Sequence, residues 1–141
     1  MLRRPLVRVG GKNAQLPVGD VLVGVARTVG ATFDGGGQPL VAGAYCDVRL
    51  PFRVYLDRVS VVADTNGSLI VDIRRAPLED YPPTVSIAAS AKPTLVSART
   101  YEDTDLAGWT TELQAGDVVR FVVESCSGIT RATIQVEGVQ Q

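Results

Sequence analysis

The sequence predicts an all-β protein: an antiparallel two-sheet β-sandwich of the jelly-roll type with one short helical turn. Three observations favour this fold class. Apolar and polar residues alternate with a period of two in several segments, which is typical of half-buried strands. Gly (14 residues) and Pro (8 residues) divide the chain at short intervals. Long connections such as residues 75–93 suit strands that cross between two sheets.

The alternation defines an expected core. It is clearest in the segments RVSVVAD, SLIVDIRR and RATIQVEG. The residues expected to face inward are Val59, Val61, Ala63, Leu69, Val71, Ile73, Ala132, Ile134 and Val136, together with Trp109 and Phe121. Between the first two segments lies Asp64-Thr65-Asn66-Gly67, and because an Asn-Gly pair readily adopts positive φ, a hairpin is predicted there.

Eight strand candidates follow from these patterns. They cover residues 6–9, 21–29, 40–48, 52–63, 68–74, 94–100, 118–125 and 131–139. The one helical candidate is residues 84–91 (TVSIAASA), limited to a couple of turns by prolines on both sides. The predicted organisation is an N-terminal arm over residues 1–20 and a jelly-roll domain over residues 21–141.

Composition excludes several function classes. The 141 residues are enough for one domain with a core that needs no metal or disulfide. With 14 basic and 15 acidic residues the formal net charge is −1, which argues against a nucleic-acid partner. The chain has no histidine, so Ser-His-Asp and Cys-His nucleophiles and His-ligated metal sites are excluded. No apolar run approaches membrane-spanning length, and neither a membrane partner nor a cofactor is expected.

The two cysteines predict a reducing environment. Cys46 and Cys126 lie 80 residues apart, and two unpaired thiols are the favoured interpretation. A disulfide between them stays open, because it would require that their strands are neighbours. Arg8 interrupts the first apolar segment, so no signal peptide is predicted and synthesis in the cytosol is expected.

The best catalytic candidates are the carboxylates Glu79-Asp80, and Glu102-Asp103 with Asp105. Adjacent residues on a strand point to opposite faces, so neither pair suits a glycosidase, and solvated loops are the stronger interpretation. Asp103-Thr104-Asp105 lacks the glycine and the terminal glutamate of an EF-hand calcium loop, and the sequence contains no phosphate-binding motif. No enzyme and no metal site are therefore predicted.

Aromatic residues offer an alternative, a sugar-stacking platform. Its members would be Tyr55, Tyr81, Tyr101 and Trp109. A lone tryptophan in a β-rich chain is more often a core anchor, which is the interpretation favoured for Trp109.

The N-terminal arm concentrates positive charge. Arg3, Arg4, Arg8 and Lys12 accompany Pro5 and Gly10-Gly11, a combination poorly suited to regular structure. Two interpretations stay open. The arm is either a frayed terminus or an extended segment that orders on an acidic partner.

Three linked motifs in the C-terminal half resemble those of a known protein module. NGSLIVDIRR precedes YPPTVSIAASAKPTL, and LAGWTTELQAGDVVRFVVESCSGITRATIQV completes the series. In this order they resemble a module of tailed-bacteriophage structural proteins, over about residues 59–139. A compact stand-alone version resembles the jelly-roll cement (decoration) proteins of phage heads, of the kind described for a Bordetella phage. The stretch GKNAQLPVGDVL resembles linkers of phage fibre proteins.

The resemblance implies a non-enzymatic virion protein. It would be made in the host cytoplasm and would bind the exterior of the capsid. Its partners would be the major capsid protein and a second copy of itself, with which it would form a homodimer. The alternative is a receptor- or carbohydrate-binding module of a tail fibre or appendage. The residues predicted to lie at the interface are Arg3, Arg4, Arg8, Val62, Ile70, Val118 and Val122. Val62, Ile70, Val118 and Val122 are apolar although they are out of phase with the inward residues of their strands, so they form an apolar outer face. Loops that include residues 84–91 are the competing cover for this face.

Overall fold

A computed structural model of the protein describes residues 6–15 and 24–141 and confirms the all-β fold. The described residues form ten strands and one 3-10 turn, at Leu78–Asp80. The strands are β1 (Leu6–Val9), β2 (Lys12–Gln15), β3 (Ala26–Asp34), β4 (Tyr45–Arg49), β5 (Val54–Ala76), β6 (Val85–Ser86), β7 (Thr94–Asp103), β8 (Glu112–Leu113), β9 (Val118–Ser127) and β10 (Arg131–Gln140).

The long strand β5 belongs to two layers. Its first part pairs with β10, which pairs in turn with β3, and these strands form layer one. Its second part pairs with β9, which pairs with β4, and these strands form layer two. Strand β7 follows β5 through both parts, with shifts of register between them. All pairings are antiparallel, and strands that pass from one sheet to the other through a bend make the corners of the sandwich.

The bend of β5 lies where the sequence predicted a hairpin, so that prediction is wrong. Neither Asn66 nor Gly67 adopts positive φ, and the strand runs on through both. A Cβ on Gly67 would lie 2.6 Å from Cγ1 of Ile129 and 2.6 Å from the carbonyl oxygen of Ser127. The Asn-Gly pair therefore serves close approach of two backbones rather than chain reversal.

The predicted core is confirmed. Val71, Ile73, Phe121 and Ile134 are fully buried, and Trp109 is buried at the edge of the same apolar cluster. The inward residues of both layers meet in this single cluster, as the period-two alternation predicts.

The predicted helix at residues 84–91 is wrong. Val85 and Ser86 instead pair with β5, and the amide of Ile87 donates to the carbonyl oxygen of Ile73 at 2.8 Å. Ile87 also accepts a hydrogen bond from the amide of Thr110 at 2.8 Å. Partners on both sides keep the segment extended, and positive φ at Ala89 is incompatible with a helix.

The charged N-terminal segment is more regular than predicted. Strands β1 and β2 form a hairpin whose loop, Gly10-Gly11, has φ of 56° and 82°. Positive φ at both loop positions is the requirement of a type I′ turn. The strand predicted over residues 21–29 appears as β3, which begins at Ala26. Residues 21–23 lie outside the described part.

Candidate interaction surface

Polar residues of the three linked sequence motifs bind one another. Asp72 on β5 is only 2% exposed, and it accepts hydrogen bonds from Oγ of Ser86 (2.5 Å) and Nε of Arg74 (2.9 Å). Lys92 donates to Glu124 on β9 at 2.7 Å, and this contact raises the pKa of Lys92. These groups come from three different motifs, so the motif residues hold the outer side of layer two together.

Beside this network, Arg120 of β9 lies between two tyrosine rings. Its guanidinium carbon is 3.9 Å from the ring centroid of Tyr45 and 5.5 Å from that of Tyr81. Its Nε and Nη2 donate to the two carboxylate oxygens of Asp47 at 2.7 and 2.9 Å. Such a bidentate pair, stacked between rings, fixes the arginine in one orientation.

The hydroxyl of Tyr81 completes the arrangement by donating to Oδ2 of Asp47 at 2.6 Å. The hydrogen bond from Arg120 is the largest effect lowering the pKa of Asp47. The hydrogen bond to Asp47 is the largest effect raising the pKa of Tyr81. Asp47 therefore stays ionised and Tyr81 stays neutral at physiological pH.

Tyr45 and Tyr81 lie against Arg120, and Leu78 belongs to the adjoining 3-10 turn; we call these three exposed residues the tyrosine patch. Tyr45 is 56% exposed, and Leu78 and Tyr81 are each 50% exposed. The amide of Tyr81 donates to the carbonyl oxygen of Leu78 in the 3-10 turn. This hydrogen bond holds Leu78 and Tyr81 beside each other at the two ends of the turn.

The predicted interface residues do not form one surface. Val118 and Val122 are buried within the chain, and Val122 lies between its cross-strand neighbours Tyr45 and Asp72. Ile70, half-buried, belongs to the outer side of layer two, whereas Val62 is 50% exposed on layer one. Contacts within the chain thus cover much of the face that an interface was expected to cover, and Tyr81 and Ser86 of the predicted covering loops take part.

The arginines predicted at the interface belong to the N-terminal arm. Arg8 is exposed on β1, and its Nε donates to the carbonyl oxygen of Gly11 at 3.4 Å. Arg3 and Arg4 lie outside the described residues. A role for all three in binding stays a prediction.

The carboxylate candidates lie in the 3-10 turn, at the end of β7 and in the loop that follows it. Glu79 and Asp80 are exposed in the 3-10 turn, and Glu102 forms an ion pair with Arg58 at 3.3 Å. Oδ1 of Asp103 accepts hydrogen bonds from the amides of Asp105 and Leu106 and so closes a turn. Within residues 6–15 and 24–141, no three potential ligands among Cys, Asp and Glu are grouped for a metal ion.

The four aromatic residues proposed as a platform are separate. Trp109 is buried and donates from Nε1 to the carbonyl oxygen of Ala91 at 3.1 Å. Tyr101 packs against the core, and Tyr55 lies on β5 opposite Glu112 of β8. The exposed aromatic pair is instead Tyr45 and Tyr81.

The two thiols lie on neighbouring, paired strands, β4 and β9, but far apart along them. Cys46 pairs with Phe121 on β9, and Cys126 lies five residues further along that strand. At about 3.3 Å per residue this is roughly 17 Å, well beyond the span of a disulfide. Both cysteines are free in the structure.

The helical segment of the described residues, the three-residue 3-10 turn at Leu78–Asp80, is too short to span a membrane.

No protein-family model matches the chain, and no curated protein matches it. It is similar to the structure of the Drosophila NLP core, described for pentamer formation and histone binding, at 15% identity and a TM-score of 0.39. That similarity covers 81% of this chain and 97% of the other. It is also similar to a chain of infectious bursal disease virus, Gx strain, at 10% identity and a TM-score of 0.30, over 96% of this chain and 41% of the viral one. These TM-scores are too low for either similarity to indicate a function.

Proposed function

We propose that the protein is a non-enzymatic structural subunit of a tailed-phage virion, a cement protein that binds the outer surface of the major capsid protein lattice and stabilises the head. The motif series over residues 59–139 supports the phage assignment. The tyrosine patch is the observation that carries the binding role.

The patch has the composition and rigidity of a protein-binding surface. Tyrosine and arginine are the residues most enriched among those that dominate binding energy in protein interfaces. Here Arg120, Asp47 and Tyr81 are already hydrogen-bonded to one another before any partner arrives. Little side-chain entropy is then lost on docking, which favours affinity.

As a cement protein, the chain would stabilise the head by adding contact area between capsid subunits. A rigid sandwich bound across a capsomer boundary increases the number of contacts that internal pressure must break together. We propose that two copies associate about a two-fold axis, because a self-complementary contact is the commonest oligomeric arrangement and would present two patches at once.

The exposed tyrosines also favour a second candidate, a receptor- or carbohydrate-binding module of a tail appendage. Sugar rings stack on exposed aromatic faces, and Tyr45 and Tyr81 are half-exposed. However, Arg120 stacks against both rings. At 3.9 Å from the ring centroid of Tyr45, the guanidinium occupies one face of that ring and leaves at most the other face for a sugar.

The location of the protein in the virion separates the two candidates. Purified particles of the encoding phage would be labelled with an antibody to the protein and imaged, and separated heads and tails would be analysed by mass spectrometry. Label spread over heads, with the protein in the head fraction, is the expected result. Label confined to tail tips would assign it to the appendage and overturn the cement proposal.

A further inference from the structure

A depression on the outer side of layer one lies at the bend of β5, away from the tyrosine patch on layer two. Its volume is about 320 Å³, and its lining includes Val62, Asp64, Arg99, Arg131 and Thr133. Nothing in the proposed capsid contact through the tyrosine patch uses these residues.

The strand register brings the two arginines to this place. Val62 pairs with Thr100 of β7 on one side and with Thr133 of β10 on the other. Arg99 precedes Thr100, and Arg131 lies two residues before Thr133, so the arginines flank β5 on two sides. Neighbouring strands lie about 4.8 Å apart, so two long side chains placed roughly 10 Å apart across β5 can reach one ligand.

Both guanidinium groups are exposed, and neither has a carboxylate partner within ion-pair distance in the described part of the chain. Arg99 Nη2 donates to the backbone carbonyl of Asp64 at 3.2 Å, which anchors its side chain at the depression. A guanidinium carries five N–H donors, so most of those of Arg99 remain for a ligand.

The two nearby carboxylates already accept hydrogen bonds from other groups. The oxygens of Asp64 accept hydrogen bonds from the hydroxyl and amide of Thr130 and from the amide of Arg131. These contacts, that of the Thr130 hydroxyl first, lower the pKa of Asp64, so its negative charge is permanent at neutral pH. Asp34 is the cross-strand neighbour of Arg131, but its Oδ1 accepts from the amide of Gly36 at 2.8 Å.

We propose that this depression is a binding site for a carboxylate, supplied by an acidic side chain of a protein partner. The charged residues that line the depression, Arg99, Arg131 and Asp64, carry one net positive charge, which a single carboxylate would neutralise. Val62, 50% exposed at the rim, gives an apolar contact for the methylene stem of an Asp or Glu side chain.

The test is a titration of the full-length protein at low salt, followed by NMR. The probe is N-acetyl-glutamate amide, which has a single carboxylate, and N-acetyl-glutamine amide is the neutral control. Saturable shifts at Val62, Arg99, Arg131 and Thr133 with the glutamate probe alone are expected, with a dissociation constant on the order of millimolar. Raising the salt concentration should weaken binding, since the site is exposed.

Variants locate the site. Arg99→Gln and Arg131→Gln should each weaken binding about fivefold, whereas the matched control Arg58→Gln, an exposed arginine already paired with Glu102, should leave it unchanged. Asp34→Asn should strengthen binding because it removes the negative charge of the residue that pairs with Arg131 on β3. Thermal unfolding of each variant confirms that it is folded.

Three results would overturn the proposal. One is the absence of saturation by the glutamate probe in wild type. Another is equal weakening by Arg58→Gln, which would show general charge attraction. The third is tighter binding of inorganic phosphate than of the glutamate probe, which would make this a phosphate site. Each is independent of head binding, so this inference and the cement proposal fail separately.

Discussion

Ser86 and Asp72, fourteen residues apart, are joined by a 2.5 Å hydrogen bond from the serine hydroxyl to Oδ1 of the aspartate. The bond connects the motif YPPTVSIAASAKPTL to the motif NGSLIVDIRR. Arg74 adds a second donor to the same carboxylate. A buried charge with such partners is costly to alter, because the remaining groups lose their acceptor.

Asp72→Asn should therefore destabilise the protein by about 3 kcal/mol, through the loss of charge opposite Arg74 inside the structure. Urea unfolding measures the change. Asp80→Asn, at an exposed carboxylate of the 3-10 turn, is the matched control and should change the free energy of unfolding by less than about 0.5 kcal/mol. A loss of stability for Asp72→Asn as small as that expected for Asp80→Asn would show that the network contributes no stability.

Gly67→Ala tests the bend of β5. The new methyl group would press on Ile129 and on the backbone of Ser127, so we expect a loss of roughly 1–3 kcal/mol. Asn66→Ala, at the exposed neighbouring position, should be close to neutral. A neutral Gly67→Ala would contradict the close contact between the bend and the β9–β10 turn.

Asp47 should make the stability of the folded protein depend on pH, and the direction of its pKa shift gives the sign of that dependence. Its pKa in the folded protein is lower than the ordinary 3.8, because Arg120 and Tyr81 bond to its charged form. Its contribution to stability is therefore complete above about pH 3.8 and is lost as the pH falls through the lower folded value. Asp47→Asn should be less stable than wild type at pH 7, and this difference should shrink below pH 3.8.

Thermal unfolding of both proteins from pH 7 to pH 2 measures that difference. Asp57→Asn, at an exposed position of β5, serves as the control. A wild-type advantage that persists unchanged at the lowest pH would contradict the role assigned to the ionised carboxylate.

Cys46 and Cys126 should be unpaired thiols. Alkylation under denaturing conditions without reductant should add two adducts to the intact mass. A mass with no adducts would show that the two cysteines are bridged, which the strand register does not allow within one chain.

Local patterns predicted the all-β fold and the core, because burial of Val71, Ile73, Phe121 and Ile134 depends only on alternation within each strand. They mispredicted residues 84–91, where pairing with β5 overrides a helix-compatible composition. They also mispredicted Asn66-Gly67, since its close neighbour Ile129 is far away in sequence. The tyrosine patch was missed for the same reason. Asp47 meets Arg120 only through the pairing of β4 with β9, which no local pattern predicts.

Binding of purified protein to heads that lack it tests the central claim most directly. Wild type should bind saturably and raise the temperature at which the heads are disrupted. Tyr45→Ser and Leu78→Ser should each weaken binding by about tenfold or more, as expected for residues that dominate an interface. Tyr55→Ser, at a tyrosine of similar exposure (49%) outside the patch, should bind like wild type. Saturable binding to host surface glycan with none to heads, or equal weakening by Tyr55→Ser, would contradict a capsid contact through the tyrosine patch.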